Sequence, residues 1–230
     1  NHKNKYKSIL SRYPLYNKND IVVVSDGWHS SVVSATIKVK GIPIRILSTH
    51  IPGAARVQGS ASNFIATNVI KHNENTFLLG DLNNTLRDGV LDCFGDNGMM
   101  SNWDALGMDV TNMSTCKDLE NDDGVIDHIF FKGAPSTSIR VVRGGIILDA
   151  YNDGDVDKEM TEDDNSCCGS AIERKRTWYG LGKPLSDHFP IWTEFIIDLN
   201  DSNMDDFEIM NTRWPTMGLL KHVDLIIGKD

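Results

Sequence analysis

Four places in this 230-residue chain put residues capable of acid–base or metal chemistry at the edge of an apolar run. Thr49-His50 follows the run at 44–47. Asp81 and Asn83 follow Phe77-Leu78-Leu79-Gly80. Asp127-His128 lies inside the run at 125–131, and Asp187-His188 precedes the run at 189–197. Three acids, two histidines (His50 and His188) and an amide are the inventory for metal-assisted attack of water on a phosphate. Singly, each has a plainer reading: a structural histidine at a strand end, an Asx-rich turn at 81–85, a polar loop ahead of a core strand. Asp127 is the most informative, because an acid within an apolar strand is costly unless paired, so a buried partner is implied. No cysteine is placed as a nucleophile, and neither a Gly-x-Ser-x-Gly elbow nor a glycine-rich phosphate loop occurs.

These residues can meet only if a β-rich scaffold gathers the strand ends at one mouth. The apolar run at 9–10 reads as a strand broken by Pro14. Residues 21–24 and 31–39 are β-rich and separated by Asp26-Gly27, a hairpin signal. Gly41-Ile42-Pro43 marks a turn before a strand at 44–47. Apolar residues at helical intervals (Phe64, Ile65, Val69, Ile70) predict a helix within 56–72, beginning near Ser60 or Ser62 because Gly59 precedes it. Strands follow at 76–80, 125–131, 139–148 (one or a pair) and 189–197, with loops and a short helix across 86–122. Asp81 and Asn83 are two apart, so an extended segment would put both on one face. Asp187 and His188 are adjacent and would have to act from the turn before the pleat begins.

The bulk composition sets limits. Hydrophobic content of 40% and charged content of 24% suit a globular protein. No apolar run approaches the ~20 residues of a membrane span. A net charge of −9 argues against broad, sequence-independent clamping of nucleic acid, though not against a local basic groove. Arg12, beside Tyr13, and Arg176, in the basic stretch 174–176, are candidate phosphate contacts. The acidic stretch 149–165 reads as an exposed insertion; its Asp153-Gly154-Asp155-Val156-Asp157 admits structural Ca2+ but lacks the spacing of a helix–loop–helix site. Of four cysteines, Cys93 and Cys116 form the expected disulfide, while Cys167 and Cys168 are vicinal. With the Asn112-Met113-Ser114 glycosylation tripeptide, this tilts toward a secretory origin.

The ordered set of motifs resembles the endonuclease/exonuclease/phosphatase superfamily, whose fold is that of DNase I. The resemblance rests on Ile9-Leu10-Ser11-Arg12-Tyr13-Pro14, Ser48-Thr49-His50, Leu79-Gly80-Asp81-Leu82-Asn83, Ile126-Asp127-His128-Ile129-Phe130 and Leu185-Ser186-Asp187-His188-Phe189-Pro190-Ile191. It implies an α+β domain over residues 1–198, a four-layer α/β/β/α sandwich of two facing, mostly antiparallel sheets, followed by a tail at 199–230. It also implies Mg2+ (or Mn2+) held by Asp187 and Asp81, with Asp81 orienting or deprotonating water and Asn83 assisting. His188 would contact the phosphate, Asp127 would fix its ring and keep it protonated, and His50 would contact phosphate or assist the leaving group. The implied substrate is a phosphodiester, in nucleic acid or a phospholipid head group. The family carries an Asn strand and a metal-binding Glu strand ahead of the first motif. This chain begins after both, so an upstream segment or a partner chain is expected to supply them. The alternatives to a metal-dependent phosphodiesterase are an inactive scaffold that keeps the fold, or half of a site completed by a partner.

Overall fold

The computed structural model describes residues 7–25, 28–116, 124–146, 188 and 191–199. Two long strands open it, β1 (Tyr16–Ser25) and β2 (Trp28–Val39), paired antiparallel from Ser25↔Trp28 outward. β2 turns into β3 (Ile42–His50) through Lys40 and Gly41, both at positive φ (49° and 84°). A two-residue turn of that handedness matches the twist of the strands it joins. β4 (Thr76–Asp81) runs parallel to β3, β6 (Asp127–Lys132) lies antiparallel to β4, and the two-residue β5 (Met100–Ser101) edges the sheet. The order is β1-β2-β3-β4-β6-β5. β7 (Thr137–Ile146) and β8 (Ile191–Leu199) form a second, antiparallel pair.

Strand alternation sorts the core onto two faces. Val32, Leu47, Leu78 and Phe130 point to one side, against helix α1 (Ala55–Phe64), its π-helical continuation (Ile65–Val69) and the short α2 (Asp92–Asp96). Ile44, Ile46, Phe77, Leu79, Ile129 and Phe131 point to the other, against Ile191, Phe195 and Ile197 of β8. Phe195 joins the sheets through edge contacts with Phe77 (4.7 Å) and Phe131 (5.1 Å). An apolar cleft between the sheets, lined by residues such as Ile37, Ile44, Phe77 and Phe195, carries no polar chemistry. Among the described residues, helices, a six-stranded sheet and a second, two-stranded sheet make three layers of the expected sandwich.

Three local expectations are corrected. Residues 7–15 form no strand: Leu10 is exposed, and pairing begins at Tyr16, past Pro14, whose nitrogen cannot donate to a ladder. The helix begins at Ala55, a turn and more before Ser60, because exposed Gly59 is tolerated inside it. Cys93 is a free thiol bonded to the Val90 carbonyl, so no Cys93–Cys116 bridge forms. Both lie on separate elements, Cys93 on α2 and Cys116 in a bridge to His188. Cys167, Cys168, the acidic stretch 149–165 and the tail 200–230 lie outside the described residues. No helix among the described residues is long and apolar enough to cross a membrane.

Candidate active site at the sheet mouth

Three sequence-predicted residues are brought together by register alone. In the parallel pair β3–β4, His50 lies opposite Asp81; in the antiparallel pair β4–β6, Asp81 lies opposite Asp127. The three form one row across adjacent strands. By alternation they share the face that carries Ile46, Leu79 and Ile129, which is the face toward the second sheet. Gly80 makes this row possible. Its φ is +146°, and a Cβ there would lie 1.8 Å from the Thr49 carbonyl oxygen, so only glycine lets β4 come this close to β3. Beyond the last pair, Ile51 N–H donates to the Asp81 carbonyl (3.0 Å) and Leu82 N–H to that of Ile126 (2.9 Å), which keeps the mouth in register.

The partner implied for Asp127 is His188, 61 residues away: His188 Nδ1 lies 2.7 Å from Asp127 Oδ2. A carboxylate oxygen accepts, so Nδ1 carries the proton and Nε2 is turned the other way. There it faces Asp81 Oδ2 at 3.7 Å, while His50 Nε2 approaches the same oxygen at 3.3 Å. Asp81, Asp127 and His188 are buried, whereas the His50 side chain is 29% exposed and forms the open side.

Asp127 is held through its backbone as well. The Thr115 hydroxyl accepts from the N–H groups of Ile126 (3.0 Å) and Asp127 (3.1 Å), and the Trp103 indole donates to the Asp127 carbonyl (3.2 Å). Trp103 sits on α3 (Asn102–Leu106), which is capped by the Ser101 hydroxyl at its start and by left-handed Gly107 at its end. From the same helix, Asn102 accepts from Ile129 N–H and donates to Thr193 of β8, so α3 ties β6 to the second sheet. Sequence reasoning assigned none of these roles. The only available signal was a lone tryptophan and a capping serine in an otherwise loop-like stretch.

Asn83 reaches the cluster by a different route from the one expected. It is not extended but left-handed (φ 50°), in a turn whose N–H donates to Asp81 Oδ1 (2.9 Å). Asparagine tolerates that conformation because its short side chain bonds locally. The turn swings the amide back over β3, where Nδ2 donates to the Ile51 carbonyl (2.8 Å) and lies 3.1 Å from His50 Nε2. Neutral His50 can accept there; a protonated ring would donate to Asp81 instead.

His128 follows Asp127 in the chain and points to the helix-side face, where it is fully buried and packs against Phe130. Burial pushes its pKa down to about 4, against the weaker raising effects of the Asn84 carbonyl and the Asp127 charge. Of the remaining candidates, Arg12 is exposed on the segment ahead of β1. Asp187 and Arg176 lie outside the described residues.

Asp81, Asp127 and His188 each offer a ligand atom, all within 4.8 Å of one another, so the group could hold a metal ion. The donor chemistry is uneven. Asp127 Oδ2 is at hydrogen-bonding distance from His188, which leaves Asp81 as the carboxylate among the described residues best placed for a hard cation. One carboxylate with water and substrate oxygens is an ordinary protein contribution to a Mg2+ site.

No protein-family profile and no curated protein matches the chain. Solved structures do. A mannosyl-6-phosphatase from Bacteroides thetaiotaomicron aligns over 80% of this chain and 67% of its own, at 18% identity and TM-score 0.54. Humanized D. rerio TDP2 aligns over 80% and 68%, at 15% identity and TM-score 0.52. An endonuclease/exonuclease/phosphatase family protein from Leptotrichia buccalis aligns over 80% and 63%, at 16% identity and TM-score 0.51. The chain has the DNase I-like α+β fold that these proteins share, and it spans about two thirds of their length.

Proposed function

We propose that this chain carries most of the active site of a metal-dependent phosphoesterase, one that hydrolyses a phosphodiester by in-line attack of water. The observation that carries the proposal is the buried His188–Asp127 pair (2.7 Å) aimed, together with His50, at a single Asp81 oxygen. An anionic diester repels hydroxide, so such a site needs groups that absorb charge as the transition state forms. Asp127 fixes the His188 ring by accepting from Nδ1, which turns Nε2 to the Asp81 side of the mouth, where the phosphate would have to enter. Asp81 orients or deprotonates the water. Asn83 and His50 contact the phosphate or the leaving group. Mg2+ or Mn2+, held by Asp81 and Asp187, would supply charge neutralisation at the phosphate. Arg12 and Arg176 are proposed phosphate contacts.

Fold likeness to a phosphatase and to TDP2 supports the reaction class and leaves the substrate open among nucleic acid, phospholipid head group and related esters. The net charge of −9 favours a locally recognised phosphate over a long nucleic-acid track. The test is hydrolysis of bis(4-nitrophenyl) phosphate by the intact protein, with Mg2+ and with chelator. Chelation should abolish turnover, and His188→Ala and Asp187→Ala should each lower it at least about 100-fold. Turnover undiminished in both variants refutes the assignment.

A further inference from the structure

We propose that Gln58 and His128 are positioning residues that clamp the turn carrying Asn83, a role that rests on the phosphoesterase reading for its functional meaning. The turn has a weakness. Its local brace is Asp81 Oδ1, which accepts from Asn83 N–H, and Asp81 is also the carboxylate whose other oxygen faces both imidazoles. Whenever Asp81 shifts to engage water, substrate or a cation, the left-handed Asn83 would lose the bond that holds it in a strained conformation.

Two donors from outside the turn make up for this. Gln58, half-buried on α1, donates Nε2–H to the Asn83 carbonyl (2.9 Å). His128, on β6, lies with Nε2 2.8 Å from the Asn84 carbonyl. A carbonyl can only accept, so His128 carries its proton on Nε2. Two consecutive carbonyls are therefore fastened to two separate elements. Gly53 leaves room for the Asn83 side chain, whose Oδ1 would lie only 3.3 Å from an added Cβ. The clamp's consequence is the aim of Asn83 Nδ2 at the Ile51 carbonyl and His50.

The experiment combines amide hydrogen exchange with kinetics on the intact protein. Gln58→Leu and His128→Phe should each speed exchange of the Asn83 amide about tenfold, the scale of one net hydrogen bond, with the Leu78 and Phe130 amides unchanged. His128→Gln, which puts an amide nitrogen near the position of Nε2, should restore protection. For bis(4-nitrophenyl) phosphate, both disruptive variants should lower kcat about tenfold with KM within twofold. In an Asn83→Ala background Gln58→Leu should cost nothing further, since it acts only through Asn83. Unchanged Asn83 exchange in both variants overturns the clamp, as does protection lost evenly across β4 and β6, or additive kinetics with Asn83→Ala. If Asn83 alone loosens while the wild-type protein fails to hydrolyse the ester, the clamp stands and the phosphoesterase reading falls.

Discussion

His128 and His188 are both buried, and both adjoin Asp127, one through the chain and the other through space. His128 is on the helix-side face of β6, packed against Phe130 and bonded to a backbone carbonyl, and burial holds it neutral. His188 lies on the opposite face, against the Asp127 carboxylate, with its second nitrogen toward Asp81 and the open side at His50. The same side chain is thus a fixed neutral donor on one face and a candidate proton and charge carrier on the other. The difference comes from its partners, a carbonyl for His128 and a carboxylate for His188.

The sharpest way to break this contrast is to remove each ring in turn. His188→Ala should lower kcat for an aryl phosphodiester about 10³-fold, within the usual range for a lost general acid–base group, whereas His128→Phe should cost only about tenfold. Equal losses would mean that the two faces are not distinct in function. Next comes Asp127→Asn, which keeps the shape but exchanges the carboxylate for an amide. It should lower kcat about 100-fold with little change in KM, as expected when the group acts through His188 and not on substrate.

The pH dependence of stability isolates His128. Its ordinary pKa of 6.5 falls to about 4 in the fold, so between these values the unfolded chain binds the proton that the folded chain refuses. Stability is then full above pH 6.5 and is lost as pH falls from 6.5 toward 4, by on the order of 3 kcal/mol from this group. Denaturant titrations at stepped pH should show that slope, and His128→Phe should flatten it. The smallest effect concerns the support of Asp127: Trp103→Phe keeps the packing but removes the indole N–H donated to the Asp127 carbonyl. It should cost about 1 kcal/mol by denaturant melt and leave the His128 slope unchanged.

Much of this was legible in the residues. Apolar runs located most of the strands, and the polar residues at their ends marked the mouth. Asp127 announced a buried partner, because no carboxylate is left unpaired inside a β-strand without cost. What stayed hidden had physical causes. Pro14 suppressed a strand that hydrophobicity suggested at 9–10. Asn83 reached the site by a left-handed turn that spacing cannot reveal. His128 read as part of a motif, although alternation alone sends it to the face opposite Asp127. Trp103 and Thr115 carry no sequence signature for backbone bonds to β6.

The sequence by itself determined which segments extend and which polar groups sit where they end, because alternation and burial are local properties of the chain. Only the tertiary structure decided that His50, Asp81 and Asp127 fall in one row and that His188 crosses 61 residues to close it. Strand order and register are set by how two sheets and a helical layer bury their faces together. That is a property of the whole core, which no single segment encodes.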